Sequence, residues 1–192
     1  EEDNWTDDNE LAAVTLFKKT NDNDYWKKAV TFVRMEPLTP WMDSDTANHY
    51  QWYPFVNLGH FSILSEASAS SKVKKEFAMN TRNAIERVSA RAAENPFRMG
   101  VPFIWCSNNL VAAMATHCHL YRTLTGDMQF VEMEPALRDW LFGCNPWGTS
   151  MVVGLPAYGD YPVDPHSALW VNYKIPVNGG LVDGPVYGAI YN

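Results

Sequence analysis

Residues 139–166 read DWLFGCNPWGTSMVVGLPAYGDYPVDPH, and the stretch changes character halfway along. Trp140, Leu141 and Phe142 close an amphipathic helix, and Gly143 followed by Pro146 three residues on is a helix stop. Beyond it comes a long loop rich in Gly, Pro and aromatics, carrying Trp147, Tyr158, Asp160, Tyr161, Asp164 and His166 without regular period. Polar and aromatic groups held on an irregular loop are where binding usually sits. The stretch therefore predicts a helix that opens into a functional loop.

Upstream, the same kind of helix recurs. Asn9-Glu10-Leu11 opens a helix with Leu11, Val14, Leu16 and Phe17 on a broad apolar face, stopped by Thr20-Asn21-Asp22. Asp24 caps a second, ended ahead of Pro37, which makes a helical hairpin. Pro37–Pro54 reads as a long loop whose Trp41, Tyr50, Trp52 and Tyr53 argue against disorder. Helices follow over about Val56–Ala67, over Lys72–Ala93 with Val73, Phe77, Ile85 and Val88 inside, and over Asn108–Leu124. A sixth leads to Phe142 and starts near Pro135, and a short seventh begins at Pro185.

Thr20-Asn21-Asp22 before Tyr25-Trp26 and Thr125-Gly126-Asp127 before Phe130 form a weak repeat, each a turn between two helices. No strand alternation appears. Antiparallel helix pairs with long loops at one end predict an all-α fold, an α/α toroid in which six hairpins close a ring and about three are present.

The bulk composition narrows the function. With 192 residues and 46% hydrophobic content the chain can bury one sizeable core, and no apolar run reaches the length of a membrane span. A net charge of -7 without a basic stripe excludes nucleic acid as a natural partner and leaves a neutral substrate. Cys106, Cys118 and Cys144 lack metal-ligand spacing and read as small buried thiols. The chain opens on Glu1 with no apolar leader, so any targeting peptide is expected upstream or already removed.

Asp139–Gly154 is similar to the D-Y-x-L-G-x-N-P-x-x-x-S-[YF]-V-x-G segment of glycoside hydrolase family 9, the cellulase family with an (α/α)6 barrel. Pro165-His166 resembles the start of its P-H-H-R motif, and Gly179–Pro185 (GGLVDGP) resembles G-A-L-V-G-G-P. Phe103–Asn108 (FIWCSN) resembles W-G-S-N, and Asn9-Glu10-Leu11 resembles D-E-L. The matches keep the family's order over nearly the whole chain, which makes the set specific where any one would be weak.

The resemblance implies that residues 1–192 are about half of a catalytic domain of an exported bacterial enzyme, secreted, periplasmic or on the cell surface. That enzyme would cleave a β-linked glucan or oligosaccharide by an inverting acid/base mechanism. It also implies that the paired aspartates of a D-A-G-D motif lie before residue 1 and the acid glutamate beyond residue 192. No catalytic residue is then assigned within the chain, whose partners are carbohydrate and the rest of its own domain, and which alone is expected to be inactive. Ser167 and Ala168 stand at the second His and the Arg of P-H-H-R, which opens the alternative of an amino-sugar hydrolase of the same fold; a non-catalytic carbohydrate-binding module is a separate alternative that would require a polypeptide complete at 192 residues.

Among the residues themselves, His166 follows Asp-Pro on an irregular loop, where a neutral imidazole can exchange hydrogen bonds with a sugar hydroxyl. Trp105, just before a helix start, offers a face for a pyranose ring, with Trp147, Tyr50 and Trp52 as further candidates; Trp147 reads equally well as a core anchor. Asp160, Asp164 and Asp183 read as turn and cap residues. No cofactor is expected. Glu10 beside Asp7 and Asp8 could offer hard oxygens to calcium, but helix-terminus electrostatics accounts for the same cluster, and Asn9 replaces the aspartate of D-E-L.

Overall fold

The computed structural model describes residues 5–43 and 55–190. Within them the chain forms helices α1 (Thr6–Thr20), α2 (Asn23–Met35), α3 (Pro40–Asp43), α4 (Leu58–Leu64), α5 (Ser71–Ala93), α6 (Ser107–Thr125), α7 (Met133–Leu141) and α8 (Ala168–Tyr173). No strand occurs among the described residues beyond one isolated antiparallel bridge, Val152 to Leu181.

The weak repeat is a repeat of hydrogen bonds. After α1, Asn21 turns left-handed (φ 56°) and its N–H donates to Phe17 O; after α6, Gly126 does the same (φ 75°) to Arg122 O. In both turns the threonine hydroxyl accepts from the aspartate N–H, Asp22 to Thr20 Oγ1 at 3.2 Å and Asp127 to Thr125 Oγ1 at 3.1 Å. Each aspartate then accepts from a backbone N–H two residues on, at 2.9 Å in both cases. Asp22 is thus the cap of α2, two residues earlier than Asp24, and it fixes α1 and α2 as a hairpin.

Every helix but α8 buries residues against its neighbours. Ala13 and Val14 of α1 meet Ala29, Val30 and Val33 of α2, and Phe61, Ile63 and Leu64 of α4 with Phe77 complete this cluster. A second cluster gathers Ile85 and Val88 of α5, Leu110, Met114 and Cys118 of α6, and Leu137 and Trp140 of α7. The short α4 contacts α1, α2, α5 and α6 and links the two.

Three expectations need correction. Pro37–Pro54 is not all loop: α3 puts Trp41 and Met42 wholly inside, with Trp41 Nε1–H donating to Phe55 O at 3.0 Å. Trp41 is therefore a core anchor. The helix expected at Pro185 is replaced by a three-residue 3-10 turn, Gly188–Ile190; residues 182–187 are irregular, and Pro185 O accepts from Ser107 Oγ at 2.7 Å. Of the cysteines only Cys118 is buried; Cys144 is exposed and Cys106 lies between.

Candidate functional site

Gly143 leaves α7 with a φ of 113°, and the buried Asn145 then folds the loop onto itself. Its amide nitrogen donates to Trp140 O at 2.9 Å and Thr149 O at 2.7 Å, while its oxygen accepts from Trp147 N–H at 3.1 Å. The chain so turned lays residues 151–153 along 179–182: Val182 N–H donates to Met151 O at 3.0 Å, Val153 N–H to Gly180 O at 2.9 Å, and Gly179 N–H to Val153 O at 2.8 Å.

The same returning segment caps α6. Asn108 N–H donates to Asp183 O at 3.0 Å, which satisfies a backbone donor that a helix start leaves open, and the Asn108 side chain donates from Nδ2 to Val182 O at 3.0 Å. Gly184 (φ 99°) passes so close that a Cβ there would stand 2.5 Å from Ser107 Oγ and 2.8 Å from Asn108 N. Gly184→Ala is expected to cost at least the roughly 1–2 kcal/mol of a left-handed non-glycine residue, read as a fall in Tm.

Three pieces of chain thus converge on an open hollow of about 310 Å3 lined by Met151, Asp164, Pro165, His166, Val182 and Asp183. His166 is itself left-handed (φ 62°), held by a turn in which Ser167 N–H donates to Asp164 Oδ1 at 3.0 Å, and its side chain is 88% exposed. Its Nδ1 faces Asp183 Oδ2 at 3.8 Å. The other oxygen of Asp183 lies 4.0 Å from Cys106 Sγ. Burial first, and the Asp183 charge second, push the Cys106 thiol up, so it stays a weak donor and not a thiolate nucleophile. An imidazole and two carboxylates around a hollow whose described lining includes no Lys or Arg can hydrogen-bond hydroxyls or attract a cation.

Of the aromatic candidates, Trp105 directly precedes Cys106 at the α6 start and is 40% exposed, so it shares this end of the molecule with His166. Trp147 is 54% exposed but leans edge-on against the core Trp140, centroids 6.0 Å apart, and does not line the hollow. Tyr50 and Trp52 lie outside the described residues.

Asp183 and Cys106 are the site residues that sequence reading passes over. Each stands where the quoted family segment has Gly, in G-A-L-V-G-G-P and in W-G-S-N, and this paired departure is the signal that could have joined them.

Glu10 points the other way, into the core. It is 0% exposed, with His60 Nδ1 at 2.9 Å from Oε2 and 3.0 Å from Oε1, and Asn57 Nδ2 donating to Oε2 at 3.2 Å. Gly59 makes this possible, since a Cβ there would stand 2.7 Å from the Glu10 carboxyl carbon. Both Glu10 oxygens are thus taken up by His60 and Asn57, and no group of three or more His, Cys, Asp or Glu among the described residues is placed to hold a metal.

The model of glycosyl hydrolase family 9 matches residues 1–192. A comparison with curated proteins gives no match. Among solved structures, a metagenome-derived glycoside hydrolase family 9 endoglucanase superposes with a TM-score of 0.78 at 21% identity, covering 96% of this chain and 33% of that one. A single-mutant thermostable endoglucanase from Alicyclobacillus acidocaldarius gives 0.78 at 23%, covering 96% and 34%, and a Bacteroides ovatus family 9 protein gives 0.74 at 20%, covering 94% and 33%. The chain spans about a third of the length of each, and the likeness is one of fold, that of the (α/α)6 barrel enzymes. Helical hairpins, their order of motifs and a family match over the full 192 residues agree: the chain belongs to glycosyl hydrolase family 9.

Proposed function

We propose that this chain forms part of the sugar-binding wall of an exported bacterial glycoside hydrolase that cleaves a β-linked glucan or oligosaccharide by inversion, with the catalytic carboxylates supplied by the rest of its domain. The observation that carries the reading is His166, exposed at the rim of the hollow on a backbone turn that Asp164 fixes. Inversion needs an acid and a base carboxyl about 6.5–9.5 Å apart with water between them. Asp164 gives one oxygen to Ser167 N–H, and Asp183 sits between His166 and Cys106, so both are better suited to shaping a wall than to activating water. Trp105 at the α6 start is the stacking platform this reading favours, with Trp147 farther out.

In the full-length enzyme, His166→Ala is expected to lower kcat/KM on cello-oligosaccharides about tenfold, the worth of one good hydrogen bond, with the folded circular-dichroism spectrum retained. Unchanged turnover on every substrate would remove His166 from the site. The isolated chain is expected to show no turnover.

One observation favours the amino-sugar alternative: Ala168 stands at the position of the family's Arg, and the hollow presents Asp164 and Asp183 with no cation in its described lining. Such a wall suits a protonated amine. Faster cleavage of chito-oligosaccharides carrying free amines than of cello-oligosaccharides, abolished by Asp183→Asn, would select this substrate class. Binding without hydrolysis by the full-length protein would select the carbohydrate-binding module instead.

A further inference from the structure

Away from the hollow, two buried histidines line one narrow gap between α4, α5 and α6. His60 is 4% exposed and His117 3%, and each has one ring nitrogen engaged and the other without a partner among the described residues. His60 Nδ1 is held by Glu10, and His117 Nε2 lies 3.3 Å from Phe55 O. Neither Glu10 nor Phe55 lines the gap, whereas both histidines do, so the unpartnered His60 Nε2 and His117 Nδ1 belong to its side. The free space is about 10 Å3, room for the centre of one water and no more.

The proton positions follow from the partners. His117 gives its Nε2 hydrogen to a carbonyl that can only accept, so its Nδ1 carries a lone pair. Burial holds His117 down to about 4, which keeps it neutral at ordinary pH. Glu10 and His60 avoid a lone buried charge in two ways, carboxylate with imidazolium or carboxylic acid with imidazole, and in both the hydrogen sits on His60 Nε2. A donor and an acceptor therefore line the same gap with no bond between them.

We infer that this gap is a binding site for a single structural water, which accepts from His60 Nε2–H and donates to His117 Nδ1. Its second hydrogen has Thr81 Oγ1 on the same wall, an acceptor because it already gives its own proton to Phe77 O at 3.0 Å. The water completes a polar spine, Glu10–His60–water–His117–Phe55 carbonyl, that ties α1, α4 and α6 together between the two apolar clusters. Water suits the place because it donates and accepts at once and leaves no buried polar atom of the two rings unpaired.

A crystal structure of the full-length protein fine enough to order internal waters is expected to show one water about 3 Å from both His60 Nε2 and His117 Nδ1. Imidazole nitrogen shifts in the same protein are expected to show His60 Nε2 protonated and His117 Nδ1 bare. A vacant gap, a direct bond between the rings, an anomalous-scattering metal peak, or a proton on His117 Nδ1 would each overturn the assignment. His117→Phe is expected to lose the density; a water that persists unchanged in that variant counts against the bridge, and if the variant does not fold the parent protein decides.

Discussion

His60→Ala is expected to destabilise the full-length protein by about 3–5 kcal/mol when the pair is carboxylate with imidazolium, the cost of leaving one partner of a buried ionic pair alone. Glu10 is 0% exposed, and without His60 its remaining side-chain partner is Asn57. Burial already pushes the Glu10 carboxyl up against the opposing pull of His60, so removing the histidine removes the largest favourable influence on its charge. Chemical unfolding monitored by tryptophan fluorescence would read the loss. The double variant Glu10→Leu with His60→Leu is expected to recover much of it, because an apolar pair of similar volume carries no desolvation cost. A loss under about 1 kcal/mol in the single variant would mean that the pair is not a buried ionic contact.

The second large effect is in pH. His117 is held near 4 by burial, against 6.5 in an exposed chain. Its folded value is depressed, so the unfolded state takes up a proton first as pH falls. The stability gained by keeping His117 neutral is then complete above about 6.5 and is lost progressively down to about 4, roughly 3 kcal/mol in all. Glu10 works in the opposite sense, since its raised carboxyl binds a proton more readily folded than unfolded, and it softens the loss just above the ordinary carboxylate range. Denaturant midpoints at a series of pH values between 7 and 4 would trace the slope, which is expected to flatten in His117→Gln. An identical slope in that variant would assign the acid sensitivity to other groups.

Much of the fold is legible in the sequence because it rests on period and punctuation. Phe77, Ile85 and Val88 fall on one side of α5 as expected, and the two Thr-x-Asp turns fix both hairpins. Val73, on the same face, is only half-buried because it sits in the first turn. What is missed rests on contacts between distant residues. Glu10 reads as part of an acidic helix start beside Asp7 and Asp8, whereas its partner His60 lies 50 residues away and draws it inward. Cys106 and Asp183 are 77 apart and meet only through the returning segment. Helix α8 escapes notice because none of its residues is buried, so it shows no apolar stripe; the Ser167 hydroxyl, accepting from Leu169 N–H at 3.2 Å, is its cap. Trp41 reads as a loop aromatic from its Pro-rich surroundings, but Pro40 starts a helical turn that carries it into the core.

The docking of residues 182–185 on the start of α6 also has a bearing on the order of folding. Its bonds, Asn108 to Val182 and Ser107 to Pro185, close loops of 74 and 78 residues, while the α1–α2 and α6–α7 hairpins close within a few. Long closures form late, because their entropy must be met before their contacts exist. The helices are thus expected to assemble ahead of the hollow, and a nascent chain would acquire its scaffold well before it could bind anything.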